Sequence, residues 1–267
     1  MLGMQLSLCN PLVDTAFNAG IKGLETYQIF IRNNRSSKQR LFPIDEIQRF
    51  NEYNENIGIN DIVIHAAYTM NPCTDNEEKR SMYISRVLED LALCDSFTAR
   101  TYYVIHPGSA VDLSNSRAMP NLISFMNEIS CFTNKTIICP EYMSGAGSQM
   151  LCNVDECLYL MSATPSNVKL CLDTCHMFTS YSDINYAFAR LLDDSAVMHL
   201  NNSAYAKFTH KDRHAPIYSG CIDTDALVNL YNAVLCLQPR MPIILETPSA
   251  TMYDDFKFLK QNEMDYY

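Results

Sequence analysis

The sequence predicts an α/β fold, a single (β/α)8 TIM barrel with its active site at the C-terminal ends of the strands. Short apolar runs with strand character alternate with amphipathic helical segments along the chain, which is typical of a parallel sheet. Eight such units in 267 residues amount to about 33 residues each, and eight-unit barrels are typically about 250 residues long. The alternative is an open doubly wound sheet, but no glycine-rich phosphate loop follows the first apolar run.

The predicted strands and helices follow from local residue patterns. Strand candidates are apolar runs bounded by polar or turn-forming residues. They are Met4–Leu8, Gly23–Phe30, Asp61–Ile64, Thr101–Ile105, Thr136–Cys139, Val168–Leu172, Ala196–Leu200 and Pro242–Leu245. Helical candidates lie between them and have an amphipathic pattern. They include Asp45–Asn54, Glu77–Cys94, Asn121–Cys131, Val154–Met161 and Thr224–Leu235.

Length and composition predict one globular domain over residues 1–267. The chain is 48% hydrophobic and 19% charged, and no linker or low-complexity run divides it. No stretch approaches the roughly 18 uninterrupted apolar residues of a membrane span, and the first residues lack the pattern of a signal peptide. None of the 11 cysteines is spaced as C-x-x-C. We therefore expect reduced thiols in an intracellular protein without membrane association.

The formal net charge is −10 at pH 7, from 20 basic and 30 acidic residues. Taken alone, this balance argues against nucleic acid, because phosphates need cations. Bound metal ions can reverse the sign locally, so the charge of the whole chain does not exclude a nucleic-acid substrate.

Six consecutive strand candidates, the third to the eighth, end at or near a histidine or a carboxylate. These residues are His65, His106, Glu141, Asp173, His199 and Glu246. The C-terminal ends of barrel strands converge on one face, where barrel active sites lie. One histidine at a strand end is usually structural, whereas six such ends in succession indicate a metal site.

Two short motifs add three ligand candidates. His176 follows Asp173 by three residues, although an Asp-x-x-His pattern by itself often only caps a helix. Asp212 and His214 lie two residues apart in the loop after the seventh strand candidate. In extended geometry their side chains point to the same side. The alternative for this second pair is a solvated loop with incidental charge.

The sequence thus offers nine candidate ligands with nitrogen or oxygen donor atoms, whereas one Zn²⁺ ion takes about four. They suit a cluster of two or three ions with bridging carboxylates, and because no thiolate is needed, the site is expected to be hydrolytic. Clustered metals at about 3.5–4 Å stabilise both the attacking and the leaving oxygens of an in-line phosphoryl displacement. Phosphodiester cleavage is therefore the first chemistry that the residues predict.

Several motifs in order resemble the endonuclease IV family of apurinic/apyrimidinic (AP) endonucleases. The matching segments are Val63–Tyr68, Ile105–Ser109, Pro140–Glu141 with Gly145–Ser148, Cys171–His176, His199–Ser203, Asp212–His214 and Ile244–Pro248. The resemblance implies a barrel with three Zn²⁺ ions, Mn²⁺ being an alternative at one position. It implies base excision repair, in which double-stranded DNA is incised 5′ to an abasic site to leave a 3′-hydroxyl, together with removal of 3′-blocking groups by a monomer. Because the family includes cellular proteins and those of large DNA viruses, the location is left open between cytoplasm, nucleus and, if the source is viral, virion.

The resemblance also distributes the nine ligands among three ions. His65 and His106 would hold the first ion, and Glu141 would bridge it to the second. The second ion would be completed by Asp173, His199 and Glu246, and the third would be held by His176, Asp212 and His214.

Glu141 and Glu246 are the catalytic residues that the resemblance implies. A hydroxide made available at neutral pH by the metals would attack phosphorus, oriented by Glu246. The third ion would stabilise charge on the departing 3′-oxygen. Four ligand carboxylates contribute −4 and three Zn²⁺ ions contribute +6, so the pocket would carry about +2 and attract phosphate.

DNA contacts are expected from Arg35, Tyr68, Asn202 and Arg213, in loops on the same face. Arg35 matches a family arginine that enters the duplex at the lesion, within a loop that has four basic residues in nine positions. Tyr68 matches a family tyrosine that fills the gap, the alternative being an ordinary rim aromatic. Arg213 adds a cation near the third ion. Asn202 stands where the family commonly has an aspartate, which leaves open one contact to a metal ligand or to DNA. Thr69 stands where the family usually has a larger apolar residue that inserts between the bases, which leaves the depth of that insertion open.

Two other functions remain open at this point. One is a sugar isomerase or epimerase on the similar xylose-isomerase-like barrel, which needs only one or two divalent ions. The Asp212–His214 pair is superfluous for that chemistry, so a count of bound metals separates the two. The other is a DNA-binding relative without activity, which would bind duplex without incising it.

Overall fold

A computed structural model describes residues 1–33, 40–111, 113 and 115–264. Its main sheet contains eight parallel strands: β1 Leu2–Gln5, β2 Thr26–Phe30, β3 Asp61–His65, β4 Arg100–Ile105, β5 Ile137–Pro140, β6 Leu170–Asp173, β7 Ser195–His199 and β8 Ile243–Leu245. They neighbour one another in the order β5-β4-β3-β2-β1-β8-β7-β6. The two end strands meet through the parallel bridges Ile138–Val168 and Glu141–Cys171. The predicted (β/α)8 barrel is confirmed.

Helices lie between the strands. In the described part of the chain they are α1 Val13–Ile21, α2 Ile44–Asn56, α3 Glu77–Ser96, α4 Asn115–Ser130, α5 Val154–Ser162, α6 Thr174–Thr179, α7 Ile184–Leu191, α8 Thr224–Leu237 and α9 Met252–Gln261. The loop after β7 adds a short antiparallel hairpin, Asn202–Ser203 with His214–Ala215. None of the helices in these described ranges has the length and apolar character needed to cross a membrane.

The longest helix, α3, shows why the helical segments form where they do. The Asn76 side chain accepts the backbone N–H of Lys79 at 2.8 Å, which satisfies one of the free donors at the helix start. Two glutamates in the first turn suit the positive end of the helix dipole. Its buried residues recur at spacings of mostly three and four: Tyr83, Ile84, Val87, Asp90, Leu91 and Cys94. The helix therefore buries one face against the barrel.

Strand alternation explains why the predicted ligands point into the barrel. Successive strand side chains face opposite sides of a sheet, so residues two apart share one side. A separate buried cluster inside the barrel contains Val63, Tyr102, Val104, Cys139, Cys171, Val197 and Ile244. The ligand candidates of β3 to β8 each lie two residues after a member of this cluster, the pairs being Val63 and His65, Val104 and His106, Cys139 and Glu141, Cys171 and Asp173, Val197 and His199, and Ile244 and Glu246.

The first strand differs from its prediction. It spans Leu2–Gln5 rather than Met4–Leu8, because Leu2 pairs with Ile243 of β8 and the register with β2 runs only as far as Gln5. The other seven strands lie within a few residues of their predicted positions. All eleven cysteines fall in the described residues, and none is in a disulfide.

Candidate metal centre

A cavity of about 260 Å³ lies at the C-terminal ends of the strands. The residues that line it are His65, Tyr68, His106, Glu141, His176, Asp212, His214 and Glu246. All but Tyr68 are among the nine ligands predicted from the sequence. The two remaining candidates, Asp173 and His199, are fully buried immediately beneath.

His65, His106 and Glu141 form the first group of potential ligands. Their ligand atoms lie within 4.8 Å of one another. Glu141 Oε2 is 3.3 Å from His65 Nε2 and 3.2 Å from His106 Nε2. The other ring nitrogen of His65, Nδ1, donates to the backbone carbonyl of Ala66 at 2.8 Å. This bond leaves the Nε2 lone pair directed at the carboxylate.

The second group contains Glu141, Asp173 and His199. Its centre is His199 Nδ1, which lies 3.3 Å from Glu141 Oε1, 3.3 Å from Glu246 Oε2 and 3.9 Å from Asp173 Oδ2. Glu141 therefore presents one carboxylate oxygen to each of the first two groups. This is the arrangement expected of a bridging carboxylate.

The third group contains His176, Asp212 and His214. Asp212 Oδ2 is 3.2 Å from His176 Nε2, and Asp212 Oδ1 is 3.5 Å from His214 Nε2. The Nδ1 atoms of the two histidines donate to the backbone carbonyls of Tyr142 and Glu246. Both Nε2 atoms are buried and make no hydrogen bond. A buried polar atom without a partner is costly, so these lone pairs indicate a ligand.

These observations fit divalent cations. Four of the histidines donate a hydrogen bond from one ring N–H to a protein oxygen, which leaves the other ring nitrogen for a metal ion. Metal-binding histidines usually make such a bond, which we call the outer hydrogen bond. Imidazole nitrogens and carboxylate oxygens are ligands that Zn²⁺ accepts. Cys175 also approaches Asp173 and His214 within the same 4.8 Å limit, and burial raises the pKa of its thiol to about 12 in the metal-free protein.

The electrostatics of the cavity favour bound positive charge. Burial would raise the pKa of Glu141, yet His199 and His106 hold it well below its ordinary value. Burial would lower the pKa of His199, yet the carboxylates of Glu246 and Glu141 raise it to about 9. The pKa of Asp212 falls to about 2, because His176 and His214 outweigh its burial. The carboxylates of Glu141, Asp212 and Glu246 thus depend on neighbouring cations, a need that metal ions would meet.

The four residues predicted to contact DNA have different surroundings. Tyr68 is half-exposed at the rim of the cavity, with its ring centroid 4.8 Å from that of His106. Arg213 is exposed next to Asp212. Arg35 lies outside the described residues. Asn202 is fully buried, and its side chain bonds to four backbone groups, the carbonyls of residues 217 and 222 and the N–H groups of residues 203 and 222. A buried, satisfied amide has no surface to offer a DNA strand, so the predicted DNA contact at Asn202 is corrected to a role inside the loop.

The basic loop after β2 begins with a buried arginine rather than an exposed one. Arg32 is 6% exposed, and its Nε donates to Asp90 Oδ1 at 2.6 Å. Another of its nitrogens, Nη2, contacts Glu89 at 2.7 Å, and Tyr103 donates to the second oxygen of Asp90 at 2.8 Å. Arg32 therefore anchors the start of the loop to α3 and does not add to the exposed cations.

Two buried amides next to the ligands were not singled out in the sequence. Gln28 Nε2 donates to Glu246 Oε1 at 2.6 Å, and Asn201 Nδ2 donates to Asp173 Oδ2 at 2.8 Å. Asn201 Oδ1 also accepts the backbone N–H of Glu246 at 2.8 Å. For Gln28 the sequence offers only a weak signal, an amide in the middle of the mostly apolar strand Thr26–Phe30, which does not reveal its partners.

The fold and the clustered ligands define a metal-binding barrel, and the comparisons identify its relatives. A family model described as a xylose isomerase-like TIM barrel matches residues 13–262. "Probable endonuclease 4" of Finegoldia magna is 34% identical over 257 residues, covering 93% of this chain and 91% of that protein. The protein of the same name from Clostridium botulinum is 31% identical over 260 residues, covering 93% and 92%.

Solved structures agree at the level of fold. Endonuclease IV from Thermus thermophilus matches with a TM-score of 0.82 and 24% identity, over 98% of both chains. A D-tagatose 3-epimerase-like protein matches with a TM-score of 0.75 and 16% identity, over 98% of this chain and 96% of that one. The chain belongs to the endonuclease IV family within the xylose isomerase-like barrels. The predicted family and the predicted enzyme class, a hydrolytic endonuclease, are confirmed.

Proposed function

We propose that this protein is a zinc-dependent AP endonuclease that hydrolyses the phosphodiester 5′ to an abasic site in duplex DNA and leaves a 3′-hydroxyl. The observation that carries the proposal is the cavity, in which three neighbouring groups of nitrogen and oxygen ligands converge and the first two share Glu141. One or two ions would not need the third group, formed by His176, Asp212 and His214. Removal of 3′-blocking groups at the same site is part of the proposal.

The nine side chains would hold three ions in the groups described above. Bound Zn²⁺ ions supply Lewis acidity, a nucleophile available at neutral pH, and stabilisation of charge on the leaving oxygen. Glu246 would orient a water molecule, a role supported by the hydrogen bonds of Gln28 to its carboxylate and of Asn201 to its backbone N–H. Glu141 holds the histidines of two groups in a common position. These two carboxylates are the proposed catalytic residues.

The surroundings of the cavity suit a DNA lesion. Tyr68 offers an exposed aromatic face on its rim, which could stack in the space that a missing base leaves. Lys207, Lys211 and Arg213 are exposed on the loop that also carries Asp212. Abasic sugar is poorly stacked and cheap to extrude, so selectivity does not require reading of bases. We further propose that residues 1–267 act as one domain and as a monomer.

Incision of a labelled duplex tests the proposal. Zinc-loaded protein should cut a duplex with one abasic-site analogue once, 5′ to the lesion, and a polymerase should extend the new 3′ end. The same duplex without the lesion and chelator-treated protein are the controls. Elemental analysis of the same sample should give three zinc ions per chain. Three ions without incision would refute the proposed substrate, and one or two ions with sugar epimerisation would favour the isomerase alternative.

A further inference from the structure

We propose that Gln28 is a positioning residue of the second ligand group: it selects the ring tautomer of His199 and fixes the rotation of the Glu246 carboxylate. The inference rests on the metal site of the proposed function. Gln28 lies on β2, a strand without a ligand candidate, and is completely buried inside the barrel. Its side chain hydrogen-bonds to both His199 and Glu246 and so connects these two ligand candidates.

The orientation of the Gln28 amide follows from its neighbours. Gln5 Nε2 donates to the Leu6 carbonyl at 2.9 Å, so Gln5 Oε1 is the atom that faces Gln28. Glu246 Oε1 faces the same atom of Gln28 at 2.6 Å. Two acceptors require a donor between them, so this atom is the amide nitrogen. The Gln28 oxygen is therefore on the opposite side, 2.8 Å from His199 Nε2.

The orientation of the amide in turn sets the tautomer of His199. An amide oxygen only accepts hydrogen bonds, so His199 Nε2 must carry the proton. In the neutral ring, the form that can bind a metal ion, the Nδ1 lone pair then faces Glu141 Oε1 and Glu246 Oε2, each at 3.3 Å. With the other tautomer, Nδ1 would carry its hydrogen into the ligand group and could not bind a cation. Gln28 thus prepares both a nitrogen and an oxygen ligand of one ion.

The second group differs from the others in how its histidine is held. The outer hydrogen bonds of His65, His176 and His214 go to backbone carbonyls, which no side-chain substitution removes. The outer bond of His199 goes to the Gln28 side chain. A change at Gln28 should therefore weaken the binding of the second ion selectively. The expected loss of affinity is about 10–100-fold, as is typical when a metal-binding histidine loses such a partner.

The test compares two variants of Gln28 with a matched control. Gln28→Met removes the hydrogen bonds to His199 and Glu246, and the one to Gln5, at similar side-chain volume. Gln28→Glu keeps an oxygen against His199 but, at pH 8, replaces the donor to Glu246 with a second carboxylate. The control, Asn54→Ala, removes another buried side-chain amide, on α2. Asn54 accepts a hydrogen bond at 2.9 Å from Tyr27, the neighbour of Gln28 on β2, and it contacts none of the ligand candidates.

Zinc affinity and ring tautomers are measured on the full chain. Zinc is titrated against a chromogenic chelator, and ¹H–¹⁵N spectra of ¹⁵N-histidine-labelled, zinc-loaded protein report the protonated ring nitrogen. We expect Gln28→Met to lose about 10–100-fold in affinity for one ion of three and to lose the Nε2–H form of His199. Gln28→Glu should lose affinity yet keep that form, and Asn54→Ala should lose neither.

Two results would overturn the inference, and they differ. Wild-type protein that binds three zinc ions, together with a Gln28→Met variant of unchanged affinity and tautomer, would refute the role of Gln28 alone. Wild-type protein that binds no zinc tightly would refute the metal site of the proposed function and this inference with it.

Discussion

The Asp173 carboxylate caps the helix that carries His176: its Oδ1 accepts the backbone N–H of His176 at 2.8 Å. The other oxygen, Oδ2, accepts from Asn201 at 2.8 Å and lies 3.5 Å from His214 Nε2. Helix capping and ligation are thus compatible functions of one carboxylate. Because the cap fixes the start of α6, it also fixes the direction in which His176 enters the cavity.

Glu246→Gln should lose about 100-fold or more of the incision rate while duplex binding is retained. The substitution preserves volume but removes a carboxylate that faces His199 Nδ1 at 3.3 Å. Single-turnover incision and duplex affinity at one salt concentration check this. Glu128→Gln, which changes a carboxylate paired with Arg80 on the outer surface, is the control. An unchanged incision rate would remove Glu246 from the mechanism.

Tyr68→Ala should reduce the preference for an abasic duplex over an intact one by about 10-fold, because one aromatic stacking surface is lost. The ring is half-exposed and packs beside His106 and Phe30, so its removal should leave zinc content unchanged. Competition binding between the two duplexes measures the ratio. Tyr68→Phe retains the ring and should retain the preference. Equal ratios for the alanine and wild-type proteins would make Tyr68 an ordinary rim aromatic.

The barrel and the ligand groups could be predicted because both depend on periodicity along the chain. A residue two positions after an inward apolar residue also points inward, as Val63 and His65 or Ile244 and Glu246 show. Parallel strands then bring their C-terminal ends to one face. Local spacing therefore carried enough information to group residues as distant as His65 and Glu246.

Residues whose environment depends on partners distant in the sequence could not be predicted in this way. Arg32 resembled a member of an exposed basic loop, but its partner Asp90 is 58 residues away. Asn202 resembled a surface contact, but the loop folds back and surrounds its amide with backbone groups. The role of Gln28 depends on side chains from β1, β7 and β8 together. No pattern within a single strand reveals such a network.

Arg213→Ala should weaken duplex binding similarly for all sequences and reduce the magnitude of the salt-dependence slope by about 1. Its side chain is exposed on the hairpin beside the third ligand group. Affinities measured at several salt concentrations give the slope. Arg240→Ala is the matched control, because Arg240 is also exposed but lies with Arg100 and Lys169 at the opposite end of the barrel. Equal slopes for both variants would exclude a phosphate contact by Arg213.

Asp90 should make the stability of the metal-free protein depend on pH. Burial raises its pKa to about 6, against the opposing effects of Arg32 and Tyr103. Because the folded-state pKa exceeds the ordinary value, the contribution of this group to the free energy of unfolding is fully present below about pH 4. It is lost as the pH rises through about 6. The change amounts to about 3 kcal/mol for a side chain that is 1% exposed.

Denaturant unfolding of wild-type and Asp90→Asn protein at pH 4 and pH 7 isolates this contribution. Between these two pH values the difference in unfolding free energy between the two proteins should itself change by about 2 kcal/mol, because Asp90 is only partly protonated in the unfolded chain at pH 4. Asp45→Asn serves as the comparison, since it changes an exposed carboxylate that is paired with Arg49 on the surface. A difference that stays constant between the two pH values would show that Asp90 titrates normally.

Asp212→Ala should remove one of three zinc ions and leave the other two. Asp212 is the one carboxylate of the third ligand group, and its side chain is 41% exposed, so the barrel should tolerate its truncation. Because a direct ligand is lost, the affinity should fall by more than the about 10–100-fold caused by loss of an outer partner. Elemental analysis after dialysis against a chelator gives the count. Asp45→Ala, which truncates an exposed carboxylate paired with Arg49, should retain all three ions. If Asp212→Ala retains three ions as well, His176 and His214 do not hold a separate ion, and the third group must be assigned another role.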